Sequence, residues 1–89
     1  MREKLEAILK NETRVLALTL RAELDFTQAE MAEVLHMSTR GYADIESGAS
    51  ACGALTFALL LICLPDPTDF IKRLKLDFDR LAEAEEVLL

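Results

Sequence analysis

Apolar positions along the chain recur at helical rather than strand spacing. Leu5, Ile8, Leu9, Leu16, Leu20 and Leu24 fall roughly on one face of a helix from about Arg2 to Leu24. Asn11 marks a potential break there, because Asn is a weak helix former and a good N-cap for a new helix after it. A second pattern opens at Phe26-Thr27-Gln28-Ala29-Glu30-Met31, where a hydroxyl residue three places before a glutamate forms a capping box. Phe26 and Met31 occupy the flanking positions of a hydrophobic staple, so a short helix over about Thr27–Leu35 is predicted. His36-Met37-Ser38 makes a turn. Ser38 caps another short helix to Ser47, which Gly48 stops.

Beyond the small-residue loop Gly48-Ala49-Ser50-Ala51-Cys52-Gly53, the run Ala54 to Leu64 is apolar except for Thr56. It is far shorter than the roughly 20 residues that span a bilayer and reads as a buried helix. Leu64-Pro65-Asp66-Pro67 ends it and starts the last helix, with Asp66 as N-cap and Pro67 at the first helical position. That helix is predicted to reach about Leu88, with Ile71, Leu74, Phe78, Leu81 and Leu88 forming a heptad seam interrupted only at Glu85. The fourth helix is apolar around most of its circumference, so one packing face cannot cover it. Either the last helix folds back over it, or a second subunit buries it, or both do.

These elements predict an all-α fold: a compact five-helix, helix-turn-helix domain with a long C-terminal helix. Residues 1–89 form one unit, the helix-turn-helix lying at about 27–47 and the packing or dimerisation helix at about 67–88. A chain of 89 residues has no room for a second domain, and its 52% hydrophobic content suffices for a core at this size.

Composition narrows the chemistry. Met1-Arg2-Glu3-Lys4-Leu5-Glu6 lacks the basic-then-apolar order of a signal peptide, so a cytoplasmic location is expected, with no membrane segment. Cys52 and Cys63 read as free, small apolar residues. One histidine and two unclustered cysteines do not make a zinc site, and neither cofactor nor small-molecule substrate is indicated. A nucleophile built from His36 with Cys52 or Cys63 would need a third, orienting group and a pocket, so no enzyme activity is expected. The net charge of −6 runs against nucleic-acid binding, and its distribution sharpens the conflict. Residues 1–23 carry five basic and four acidic groups, residues 24–50 one and five, residues 51–89 four and seven.

The residues Arg21, Phe26-Thr27-Gln28, Ala32, Leu35, Ser38, Tyr42, Ile45-Glu46 and Gly48 give the chain a resemblance to the phage-repressor, Cro/XRE-like helix-turn-helix family over about Thr13 to Leu64. The resemblance implies a fold of the lambda-repressor type and a partner of double-stranded DNA. It gives Gln28 a backbone phosphate, gives the start of the recognition helix, Ser38, Thr39, Arg40, Gly41 and Asp44, the DNA surface, and pairs Arg21 with Glu46. Two positions depart from the family pattern. His36 stands where Gly is usual, a left-handed site that His tolerates at some cost. The loop after Gly48 lacks the cations that hold phosphate in relatives, leaving amides, Ser47 and Ser50.

Arg40 is the sole cation between Glu23 and Cys52, placed for bidentate contact with guanine O6 and N7, or else solvated at the surface. Gly41 removes bulk where backbone approaches DNA, at about 1 kcal/mol of helix propensity. Asp44 either accepts from cytosine N4 or faces solvent. Tyr42 is expected to bury its ring and leave its hydroxyl at the surface. The expected function is a sequence-specific DNA-binding transcriptional regulator, a homodimer on a two-fold-related operator. The alternatives are an acidic protein-interaction module on the same fold, such as an antirepressor or regulatory partner, and an assembly subunit built through the fourth helix.

Overall fold

A computed structural model describes all 89 residues as five α-helices without strands: α1 (Arg2–Leu24), α2 (Gln28–Val34), α3 (Thr39–Ser47), α4 (Ala54–Cys63) and α5 (Pro67–Ala84). Asn11 does not break α1. An interior Asn costs well under 1 kcal/mol of propensity, and the apolar stripe continues on both sides of it. Its side chain instead accepts a hydrogen bond from Arg14 Nη2 at 3.1 Å. α1 ends where Asp25 turns left-handed (φ 56°), with the amides of Asp25 and Phe26 returning to the carbonyls of Ala22 and Arg21.

α1 is the shared partner of the fold. Leu16, Ala17 and Leu20 from its centre join Met31, Ala32 and Leu35 of the second helix and its cap, Tyr42 of α3, Leu60 of α4 and Phe70 of α5 in one apolar core. Ala17 and Ala32 are fully enclosed, and their small side chains let helices approach closely. Phe26 and Met37 close over the edges of this core.

The last helix departs from the predicted seam in two ways. It stops at Ala84, because Glu86 adopts a left-handed backbone (φ 54°) and the amide of Val87 returns to the carbonyl of Ala82. Two glutamates at the negative end of a helix dipole disfavour continuing, and Lys4 of α1 pairs with Glu85 there. Leu88 therefore lies outside the helix, 99% exposed. The buried face of α5 is set by Phe70, Leu74 and Ala82 rather than by Ile71, which is half exposed.

α5 packs along α1 within the same chain and meets α4 through Phe57 and Phe70, whose rings lie 6.0 Å apart and tilted by 54°. It does not fold back over the whole of α4. Leu60 is enclosed, but Leu55 (70% exposed), Ala58 and Ile62 (77% exposed) form an uncovered apolar stripe on the far side of α4. No helix is long and apolar enough to cross a membrane.

Candidate nucleic-acid interface

Both halves of the α2–turn–α3 segment are fixed by local hydrogen bonding. The Glu30 amide donates to Thr27 Oγ1 at 3.1 Å, and the Thr27 amide donates to Glu30 Oε1 at 3.0 Å, completing the capping box. This places Gln28 in the first turn of α2. At the other end the amides of His36 and Met37 return to the carbonyls of Glu33 and Ala32, closing the helix through a left-handed residue. That residue is His36 (φ 56°), where Gly would be free of strain; the cost for an L-residue is about 1–2 kcal/mol.

Ser38 then caps α3, its Oγ accepting from the Gly41 amide at 3.0 Å. This bond gives Gly41 a structural role. A Cβ built on Gly41 would lie 3.0 Å from Ser38 Oγ and 3.3 Å from Met37 Cε, so the missing side chain makes room for the helix's own cap. The pattern of residues alone assigns that space to approaching DNA.

Tyr42, Ile45 and Glu46 form the inner face of α3, and all three are buried. Tyr42 is fully enclosed. Its hydroxyl does not reach the surface as expected but donates to the carbonyl of Ala17 at 3.3 Å. Burial, with Glu46 nearby, pushes the phenol well above its usual range, so it stays a neutral donor. Arg21 reaches Glu46 with two hydrogen bonds, Nε to Oε2 at 2.6 Å and Nη2 to Oε1 at 3.0 Å, and its Nη1 donates to the carbonyl of Phe26 at 3.1 Å. Burial of Glu46 raises its carboxyl, but the bonds from Arg21 and Gln28, with the Tyr42 hydroxyl close by, outweigh it and hold the group below the usual carboxylate range.

Gln28 Nε2 donates to Glu46 Oε1 at 3.1 Å. A primary amide carries two N–H donors, so this bond orients the side chain and leaves one donor free. The ends of α1, α2 and α3 are thus tied at one carboxylate. On the outer face of α3, Thr39, Arg40 and Ser47 are exposed, and Asp44 is half-buried. Asp44 engages its own loop through the backbone, its carbonyl accepting from Ser47 Oγ and from the Ser50 amide. Arg40 has no carboxylate within salt-bridge distance.

The loop after α3 starts at Gly48, whose φ of 79° suits glycine. Beside it stand two cations that lie outside the surface expected from the sequence. Ala7, Lys10, Asn11 and Arg14 of α1 line a shallow groove of about 230 Å³ with Gly48, and Arg14 Cδ would lie 3.6 Å from a Cβ at Gly48. A signal for them exists in the chain: Lys10, Arg14 and Arg21 recur at intervals of four and seven, one stripe of α1. Once Arg21 is tied to the end of α3, the others must run alongside the loop that leaves α3. The opposite side of α1 is acidic: Glu12, Glu23, Asp66 and Asp69 surround an apolar floor of about 210 Å³, with Arg73 the single cation. Charge is therefore segregated across α1, which a count along the chain does not reveal.

No family model matches the chain, and no curated protein or solved structure matches it either.

Proposed function

We propose that the chain is a cytoplasmic, sequence-specific DNA-binding transcriptional regulator of the Cro/XRE-like kind, acting as a homodimer on a two-fold-related operator. One observation carries the reading. The inner face of α3 is locked to α1 and α2 by Tyr42 and by the Arg21–Glu46–Gln28 cluster, while its outer face offers an unpaired Arg40 beside Thr39. A short helix held rigidly on one side and free on the other is the element that enters a major groove. Arg40 reads a guanine, and the free N–H of Gln28 holds a phosphate.

The dimer reading is supported by surface. The chain exposes 5908 Å², against about 5200 Å² for a folded monomer of its mass. Its radius of gyration is 13.7 Å, against about 12 Å for a typical 89-residue domain. The α4 stripe Leu55–Ala58–Ile62 is a contiguous part of its exposed apolar surface.

Selection of bound duplexes from random sequence at low salt tests the proposal. An enriched, two-fold-related site is expected. Arg40→Ala should relax one base pair per half-site and cost about 1–3 kcal/mol there. Gln28→Ala should weaken all sequences evenly. If nothing is retained, or if Arg40→Ala leaves base preference unchanged, operator reading fails. The second reading, a protein-interaction module, then gains from the acidic, apolar-floored groove between α1 and α5.

A further inference from the structure

We infer that Lys10 and Arg14 of α1 are the backbone-phosphate contacts of this protein, taking over the role that the uncharged loop after α3 cannot perform. The inference rests on the DNA-binding reading and adds to it the part of the chain that grips the duplex independently of sequence. Three observations converge on these two side chains.

The first is position. Gly48 follows the last residue of α3, and the Arg14 stem lies against it. Arg40, near the start of α3, is eight residues away, or about 12 Å along a helix rising 1.5 Å per residue. A major groove is about 12 Å wide and walled by phosphates. With Arg40 among the base edges, the far end of α3 approaches the backbone wall, and Lys10 and Arg14 are the charges beside that end.

The second is availability. Four cations of the chain are engaged in ion pairs, Arg2 with Glu6, Lys4 with Glu85, Arg21 with Glu46 and Lys75 with Asp79. Lys10 and Arg14 are not. Arg14 spends one N–H on Asn11 Oδ1, which steadies the guanidinium and leaves its other donors free. Lys10 also lines the neighbouring groove with Ala51 and Cys52 of the loop and with the Arg2–Glu6 pair, so it borders the loop on two sides.

The third is the local balance of charge. The groove at Gly48 holds Lys10 and Arg14 and no carboxylate. The nearest acid on that side of α1 is Glu6, one turn before Lys10, and its carboxylate is paired with Arg2. A chain of net charge −6 thus presents a cationic edge beside the recognition helix and directs its negative charge across α1.

Salt dependence of DNA binding reads phosphate contacts directly, because each neutralised phosphate contributes about 0.9 to the slope of log affinity against log salt. Binding is measured on the duplex enriched by selection and on an unrelated duplex of equal length, for the wild type, Lys10→Gln/Arg14→Gln and Lys72→Gln/Arg73→Gln. The last variant removes the same charge from α5. The expected result is a slope shallower by about 1.8 for the α1 variant on both duplexes, with the ratio between duplexes unchanged and the α5 variant close to wild type. Arg14→Lys should restore most of the contribution at position 14. Melting curves confirm that the variants fold. Equal slopes in wild type and α1 variant, or equal loss in both double variants, overturn the inference while leaving the DNA-binding reading in place. Absence of any wild-type binding at low salt overturns both.

Discussion

Arg21 and Glu46 lie 25 residues apart in sequence and meet through two parallel hydrogen bonds, with the Glu46 side chain 5% exposed. The pair joins α1 to the end of α3, and Gln28 adds α2 to the same carboxylate. Removing the guanidinium leaves a buried, under-compensated charge, so Arg21→Leu should destabilise more than Glu46→Gln, which keeps a neutral acceptor for Gln28. Glu46→Ala should cost less than the about 3–5 kcal/mol of a fully buried pair, because the Arg21 it leaves unpaired is partly exposed. Denaturant melts of the single and double variants should be strongly non-additive; simple addition would show that the two groups do not interact.

The fall of stability in acid should carry the signature of the same carboxylate. Glu46 is held below the usual carboxylate range, so its contribution is complete above about pH 4.5 and is lost as pH falls through the depressed value. Glu12 behaves in the opposite sense. Burial raises it, and Asp77 of α5, facing it from across the α1–α5 contact, raises it further. Ionised Glu12 therefore opposes folding at neutral pH, and acidification toward the raised value relieves the repulsion before Glu46 begins to protonate. Melting temperature should pass through a maximum on the acid side of neutrality. Asp77→Asn should raise stability at pH 7 and flatten that rise. A curve for Asp77→Asn parallel to wild type would remove the pair from the explanation.

Gly41→Ala separates helix propensity from packing. In an open helix interior the change gains about 1 kcal/mol. Here the new methyl meets Ser38 Oγ at 3.0 Å and disturbs the cap, so the gain should be cancelled and the melting temperature should stay within about a degree of wild type. In Ser38→Ala, which vacates the hydroxyl, the same glycine replacement should recover much of its benefit. A full gain in the wild-type background would mean that Gly41 is not kept small by its cap.

The uncovered stripe of α4 should govern association. Leu55→Lys/Ile62→Lys places two charges on side chains that are 70% and 77% exposed, so the fold should survive. Sedimentation should give a dimer for wild type at micromolar concentration and a monomer for this variant. A wild type that sediments as a monomer at high concentration would leave only half-site binding.

Most local signals in the sequence correspond to observed elements. The capping box at Thr27 and Glu30, the Ser38 and Asp66 caps, the glycine at Gly48 and the left-handed His36 all act within a few residues, where side-chain chemistry decides the outcome. The misreadings concern contacts between distant segments. The heptad of α5 places Leu74, Phe78 and Leu81 correctly on its half-buried side but also points to Ile71 and Leu88, whereas the residues buried are Phe70 and Ala82. Tyr42 resembles a residue with a wet hydroxyl because nothing local reveals the Ala17 carbonyl waiting for it. The positions of Gln28 in the first turn of α2 and of the exposed Arg40 on α3 are legible in the sequence, whereas the groove beside Gly48 is not. Lys10 and Arg14 precede the helix-turn-helix by more than ten residues, and only the observed course of α1 brings them beside Gly48.

α1 touches α3, α4 and α5, whereas those three have few contacts with one another. A rod of 23 residues, about 35 Å long at 1.5 Å per residue, spans most of the molecule's 42 Å length and serves as its keel. Local openings are set by this layout. α4 can lift away while α1, α2 and α3 remain assembled, but nothing can release the middle of α1 without dismantling its contacts with α3, α4 and α5 together. Amide exchange should therefore divide the chain into two classes, with Leu16 to Leu20 exchanging only through global unfolding and the amides of α4 through cheaper, partial excursions.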